Sequence, residues 1–476
     1  MALTGLLGAA RNAYASARAY ALSRRHQDGH WCGEIRANVT VTAQHLFLYH
    51  CLDQMPPGGH SAYQQYILSQ QNEDGSWGLA PGYGGDISTS CEAYLALRIC
   101  GLSQKRQEMS SAREFILSKG GIAKVRMFTR IFFAMFGIIP WSSIPHLPPE
   151  IILLPTSFPL NIYSSASWAR STIVPLLLIR HHEPVFLPPA SSCMHASWLD
   201  HLWIDAIQQA MPCSPSLSTL MREGVVSLVL GMGDRLLNLL GGLKRLGLRG
   251  IARKSCVSWI IEHQEMQGDW AGIAMPMLCS ILALSLEGYA SDSPEITRGL
   301  AALERFTLDD DKGKRVQACV SPHWDTVLML TALCDKPDVA RPSKLLDRSV
   351  EWIMSKQLTN AKGDWQVDNE ALEAGGYCFE YVNSWYPDVD DTAATIIAML
   401  KYDPNLIISP AVLRAAQWIF GMQSKNGGWA AFDRDNDKLW LNKIPFSDMD
   451  ALCDPATADI TGRVLEAFGI MMNSSC

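Results

Sequence analysis

Trp418-Ile419-Phe420-Gly421-Met422-Gln423-Ser424-Lys425-Asn426-Gly427-Gly428-Trp429 decides the fold, because its pattern returns elsewhere in the chain. An aromatic residue is followed five positions later by Gln, then by Gly, then by Trp two beyond the Gly. Tyr66/Gln71/Gly75/Trp77, Trp259/Gln264/Gly268/Trp270 and Trp352/Gln357/Gly363/Trp365 repeat it, with degenerate copies at Gln27–Trp31 and Arg113–Gly121. Self-similarity of this kind marks an array of like structural units. The spacing places aromatic and Gln in the last turns of a helix, where an amide can reach unsatisfied backbone groups. An indole can stack on that amide, and Gly permits the left-handed turn between them. These Trp residues read as staples between helices, not as sugar or base binders.

Working outward, helical periodicity dominates at 42–53, 61–71, 89–101, 161–180, 250–264, 276–289, 323–335, 343–357, 389–402, 410–423 and 458–472. Few alternating runs compete. Helix pairs joined by Gly-rich turns indicate an all-α protein of α/α barrels. The Pro- and Ser-rich stretch 187–218 reads as a loop or insertion. With 476 residues, 48% hydrophobic and 18% charged, the chain has material for two large cores, and disorder is excluded. A net charge of −7 argues against a nucleic-acid partner. Thirteen cysteines without a Cys-x-x-Cys pair indicate neither a zinc site nor a disulfide scaffold, and favour a reducing cytosolic setting.

One stretch carries chemistry: Tyr386-Pro387-Asp388-Val389-Asp390-Asp391-Thr392-Ala393. Pro387 favours an extended entry, and Asp388 or a neighbour can cap the helix that follows. Three carboxyl groups this close cannot all ionise cheaply, so at least one proton is retained. Tyr377, Phe379, Tyr381, Trp385 and Tyr386 precede the cluster and supply an apolar surround. A carboxylic acid kept neutral in such a pocket is a proton donor. By contrast, Asp309-Asp310-Asp311 has polar neighbours and reads as a solvated helix-start cluster. Asp433-Arg434-Asp435-Asn436-Asp437 mimics a calcium loop, but Lys438 and Ile444 stand where Gly and Glu are required.

Repeats and acid motif together resemble the squalene–hopene cyclases, whose hallmarks are Gln–Trp repeats and an Asp-x-Asp-Asp-Thr-Ala protonation motif. Phe128-Thr129-Arg130, Pro159-Leu160-Asn161-Ile162-Tyr163, Ser167-Trp168-Ala169-Arg170, Ser321-Pro322-His323-Trp324-Asp325-Thr326 and Ile444-Pro445-Phe446 look the same. The Asp-Cys-Thr-Ala-Glu motif of oxidosqualene cyclases is absent. The resemblance implies two α/α barrels, the second incomplete at the C-terminus: 1–35 and 309–476 forming the catalytic barrel, 36–308 an inserted one. It implies protonation of a terminal alkene of squalene by Asp390, flanked by Asp388 and Asp391, and a cation cascade to a hopane-type pentacycle. Phe128, Trp168, Trp324, Phe379, Trp385, Phe432 and Phe446 would wall the cation, and Ile273 would shape the pocket. No cofactor is implied. No Asp-Asp-x-x-Asp metal motif is present.

The sequence departs from the family at Arg463, in Asp459-Ile460-Thr461-Gly462-Arg463, where a His partners the acid; at Ala274, where Gln often follows the pocket Ile; and at Cys476, where family members continue. Asp459 is expected to absorb Arg463 in a bidentate pair, leaving Asp390 protonated. An unclosed barrel would expose apolar surface, so aggregation, a homodimer or a need for detergent is expected.

Two further function classes stay open: a class II cyclase of another polyprenoid, and a non-catalytic helical protein that binds lipid or membranes. The N-terminus carries no early basic cluster and reads as a helix start, not a secretory signal. Prolines break the charge-free stretch 131–149, so no transmembrane helix is expected. Residues 224–254 combine an apolar side with six basic residues against Asp234, which leaves +5. Alone, this pattern suits a buried helix with a solvated basic end. The resemblance, to a monotopic family, implies a membrane-interface helix at 233–248 instead.

Overall fold

The computed structural model describes residues 2–187, 199–205, 216–239, 247–335, 345–444 and 451–474. Phe446 and residues 240–246 of the expected membrane helix lie outside them. The fold is all-α in two domains, with one two-stranded hairpin among the described residues. One unit comprises residues 1–34, 320–437 and 454–476; the other comprises 35–319 and 438–453.

These limits differ from the boundary expected at 309, for local reasons. Strands Thr307–Asp310 and Gly313–Val316 pair antiparallel and fold back on the helices of the second unit. Gln65 Nε2 donates to Asp311 O at 2.9 Å, and Val316 N donates to Thr42 Oγ1 at 3.1 Å. Asp309-Asp310-Asp311 is therefore strand and turn, not a helix start. Arg315 holds Asp310 through two bonds of 2.9 and 3.0 Å. Residues 438–453 join the same unit because Ala166 N donates to Leu452 O and Lys438 Nζ to Ser164 Oγ.

In the second unit, helices Val39–Cys51, Ile87–Ile99, Ser167–His182 and Ala274–Leu286 are buried on nearly every face. Helices Ser61–Ser69, Gln107–Ser118, Arg249–Glu262 and Pro294–Glu304 bury a single stripe. Helices buried all round form an inner layer, and one-faced helices cover it. The first unit repeats the division, with Val389–Tyr402 inside and Asp347–Ser355 and Pro410–Gly421 outside.

The repeats join the layers through hydrogen bonds at fixed offsets. The indole N–H of Trp31, Trp77, Trp270 and Trp429 donates to the carbonyl ten residues earlier, on Ala21, Ile67, Ile260 and Ile419. Gln71 and Gln264 donate to the Gly carbonyl of their own copy. The third copy departs from this rule. Gln357 donates to Gly375 O at 2.9 Å, and Trp365 Nε1 is buried without a hydrogen-bond partner among the described residues. Residues 358–374 are an insertion, so Gly375 and Tyr377 hold the places first assigned to Gly363 and Trp365.

The stretch 224–254 is not one basic amphipathic helix. Helix Val225–Leu239 runs to the edge of the described residues, and Arg249 opens a separate helix after the non-helical residues 247 and 248. Arg249 pairs with Glu150 at 2.7 Å and Arg253 with Glu287 at 2.9 Å, so these cations serve the fold. On the first helix Val225, Val229, Met232 and Leu236 are 76, 62, 55 and 56% exposed, one apolar stripe at helical spacing. Ser227 and Asp234 are buried on the opposite side, where Asp234 Oδ1 accepts from His146 N at 2.8 Å. No described helix is long and apolar enough to cross a membrane.

Candidate active site

The acid motif occupies a standard position of the repeat. Asp388 is extended and caps helix Val389–Tyr402, its Oδ1 accepting from Asp390 N at 2.7 Å and Asp391 N at 3.3 Å. Its own N–H donates to Tyr377 O at 2.7 Å, and Tyr377 N donates to Thr392 Oγ1 at 2.9 Å. Trp77, Asp86 and Ser90 make the same two contacts around helix Ile87–Ile99: Asp86 N to Trp77 O, and Trp77 N to Ser90 Oγ, both at 2.9 Å. That copy has Ser88 and Thr89 where this one has Asp390 and Asp391. Asp388 thus does the work of an ordinary cap, and the two following carboxyl groups are additions to it.

Their surroundings differ sharply. Asp391 is buried, and its Oδ1 has no hydrogen-bond partner among the described residues. Burial raises its pKa well above the usual carboxylate range, and the charges of Asp388 and Glu380 push the same way. Burial also raises Asp388, to about 7, with Asp390 adding repulsion and the two helix N–H groups opposing it. Asp390 is half-buried and raised mainly by desolvation, against the opposing pull of Arg463. Arg463 Nε donates to Asp390 Oδ1 at 2.6 Å. The Arg463 guanidinium lies 5.1 Å from the Trp324 ring centroid, and Trp324 lies 6.5 Å from Phe379.

The pairing expected between Arg463 and Asp459 is therefore absent. Asp459 is exposed in the first turn of helix Ala458–Ser474, its pKa lowered chiefly by a hydrogen bond to Thr457. Arg463 lies one turn further on and binds the acid itself.

The first unit thus contains Asp388, Asp390, Asp391, Arg463, Trp324 and Phe379 together, with Trp385 and Phe432 in the same unit and half-buried. Phe432 N donates at 2.7 Å to Asp454, a carboxylate that also accepts from Ala431 and Asp433. Ala431 O in turn accepts from Val389 N at 2.8 Å. Phe128, Trp168 and Ile273 belong to the other unit, all half-buried. Phe128 lines a narrow apolar cavity there with Phe47, Phe132, Leu278 and Gln44.

Sequence reading missed His323, Thr395, Glu380 and Asp454. His323 is buried, stacks on Tyr377 at 5.0 Å, and shares a 2.8 Å hydrogen bond with Thr395 on the acid helix. Burial lowers its pKa to about 3, so it supports that helix as a neutral ring. Its place in Ser321-Pro322-His323-Trp324 was the available signal. No described group of His, Cys, Asp and Glu is arranged to hold a metal ion.

Comparison with known proteins fits this geometry. Residues 14–312 match the squalene-hopene cyclase N-terminal domain, and residues 320–475 match the C-terminal domain. The squalene hopane cyclase afumA of Aspergillus fumigatus is 51% identical over 93% of this chain and 60% of its own length. Enfumafungin synthase efuA of Hormonema carpetanum is 45% identical over 98% of the chain and 36% of its own. The squalene–hopene cyclase of Alicyclobacillus acidocaldarius is 35% identical over 94% and 69%. The chain thus spans 60% of the first of these relatives and about a third of the second.

Proposed function

The chain belongs to the squalene–hopene cyclase family, and on that premise we propose that it is a triterpene cyclase whose substrate is squalene. The carrying observation is the desolvated carboxyl cluster at the start of helix Val389–Tyr402. Asp390 delivers its proton to a terminal alkene carbon. The π pair forms the new C–H bond, and a tertiary cation and the Asp390 carboxylate result. Burial raises Asp388 and Asp391 and so favours protons held beside it. An apolar polyprenoid seated there displaces water, which raises Asp390 further and favours its protonated form. The faces of Trp324, Phe379, Trp385 and Phe432 stabilise positive charge without offering a nucleophile. Phe128, Trp168, Ile273 and Phe446 are assigned to the same substrate, and a hopane-type pentacycle is the proposed product. Loss of a proton to a base, or capture of water, ends the cascade.

The stripe Val225, Val229, Met232 and Leu236 supports a monotopic attachment through which the lipid substrate is drawn. The Asp390–Arg463 ion pair favours a second reading, a non-catalytic lipid-binding protein, because a permanent cation beside the acid opposes its protonation. Incubation with squalene and mass spectrometry of the extract separates these readings. A pentacyclic product lost in Asp390→Asn, with the circular dichroism spectrum unchanged, supports the cyclase. Product retained in Asp390→Asn sinks the assignment of the acid. Binding of squalene without any product favours the second reading, and turnover of another polyprenoid moves the substrate.

A further inference from the structure

The repeat that delivers the acid motif is the one with a lengthened loop. Gln and its Gly partner lie four residues apart at Gln71–Gly75, Gln264–Gly268 and Gln423–Gly427, but eighteen apart at Gln357–Gly375. The extra chain, within 358–374, is packed into the fold. Asp364 and Trp365 are buried, and Trp365 meets Trp418 edge-on with ring centroids 6.0 Å apart. Long loops packed in this way tend to carry function.

Two of its residues hold the chain that leads into the acid helix. The Tyr386 hydroxyl donates to Asp364 Oδ2 at 2.9 Å, and both side chains are buried. A Cβ on Gly363 would stand 2.6 Å from Trp385 O, so the two backbones touch there. Pro387 follows at once, and Asp388 then caps helix Val389–Tyr402. Pro387 has a fixed φ and restricts the residue before it, so the orientation of Tyr386 passes to Asp388 with little slack.

The same segment reaches the loop that carries Phe432. Arg434 Nη2 donates to Asp368 O at 3.4 Å and Nη1 to Gly421 O at 3.3 Å. Asn369 Nδ2 donates to that Gly421 carbonyl at 2.8 Å, and Leu372 lies against Gly421 where a Cβ would stand. Residues 358–374 therefore tie Trp385, before the acid helix, to the Phe432 loop, whose Ala431 O accepts from Val389 N.

We infer that Asp364 is a positioning residue for proton transfer: bonded to Tyr386, it fixes the entry to the acid helix, and its segment holds Trp385 and Phe432 in place around the alkene that Asp390 protonates. The inference rests on the cyclase reading above. Asp364 acts through Tyr386, not on the substrate. A misplacement of about 1 Å can lower a rate about 100-fold, so a bond two residues before the motif can govern turnover.

The test compares Tyr386→Phe, Asp364→Ala and Asp364→Asn with Tyr402→Phe. The Tyr402 hydroxyl donates to Asp347 Oδ1 at 2.7 Å at the far end of the acid helix, so its loss removes a like bond and leaves residues 358–374 alone. For squalene, kcat should fall at least about tenfold in Tyr386→Phe and Asp364→Ala, with KM within about threefold of the parent. Asp364→Asn keeps an acceptor oxygen and should hold kcat within about threefold of the parent. The Asp364→Ala, Tyr386→Phe double variant should be no slower than the slower single, because both remove one bond. Tyr402→Phe should lower the thermal midpoint yet leave kcat within about twofold. Unchanged kcat in Tyr386→Phe overturns the inference, and so does an equal loss in Tyr402→Phe. A parent chain without turnover sinks the cyclase reading on its own, and a carboxyl carbon titration by NMR then decides on Asp364. The Asp388 midpoint, identified by its loss in Asp388→Asn, should move at least about half a unit in Tyr386→Phe and stay put in Tyr402→Phe. An Asp388 midpoint unmoved by Tyr386→Phe overturns the inference there too.

Discussion

Replacing Arg463 by Met removes the cation from Asp390 and keeps a long side chain over Trp324. A cation beside a carboxylate typically lowers its pKa by about 1–3 units. The two side chains are 33 and 25% exposed, so water screens the pair and the lower end applies. About one unit is expected, or about 1.4 kcal/mol between the protonation states. Since burial already raises Asp390, the substitution adds to that direction. The assay is a carboxyl carbon titration by NMR on chain labelled at aspartate, with the Asp390 signal identified by its loss in Asp390→Asn. The Arg463→Met midpoint should lie about one unit higher. In a chain that converts squalene, the protonated fraction at neutral pH then rises, by no more than about tenfold for one unit, while the acid weakens. Turnover should change by less than about tenfold because the two effects oppose each other. An unmoved Asp390 midpoint would refute the reasoning, showing that another anion neutralises Arg463.

Stability should fall as pH rises from about 4 through about 7, because Asp388 and Asp391 bind protons more tightly folded than unfolded. Asp391→Asn should flatten that slope in urea titrations; an unchanged slope would place the burial cost elsewhere. Val229→Glu with Leu236→Glu should release the chain from phospholipid vesicles in a flotation assay, since burying an apolar side chain contributes up to about 1.5–3 kcal/mol. Unchanged flotation would count against that face as the anchor. Trp429→Phe should cost about 0.5–1.5 kcal/mol more than Trp365→Phe in chemical denaturation, because only Trp429 donates its indole N–H. Equal costs would contradict the reassignment of the third copy.

The layers were legible because burial imposes a period on the sequence. Helix 389–402 falls where its periodicity places it. Helix 161–180 does not: it begins at Ser167, after a separate turn at Ile162–Ser164. Pro294–Glu304 was missed, although Pro294 at its first position was a start signal. The third repeat was misread because Gly363 and Trp365 imitate the pattern inside an insertion. Hydrogen bonds distinguish Gly375 from Gly363, and no spacing rule carries that information.

The acid cluster was visible as three carboxylates in one turn, but their roles were not. A repeat makes the separation possible once its copies are superposed in mind: Asp86 and Asp388 are the same cap, so capping alone explains Asp388 and leaves Asp390 and Asp391 unexplained by structure. Placing two carboxyl groups in the first turn of a buried helix gains from the helix dipole only while they are ionised. Burial of Asp391 acts against ionisation, and its Oδ1 lacks even a hydrogen bond among the described residues. A fold selected for stability alone is better served by Ser88 and Thr89, the residues that hold those positions in the other copy. The local destabilisation is what a stored proton requires. Arg463 then limits the reserve, since its guanidinium pairs with Asp390 and, as a nearby cation, opposes protonation of both Asp390 and Asp391.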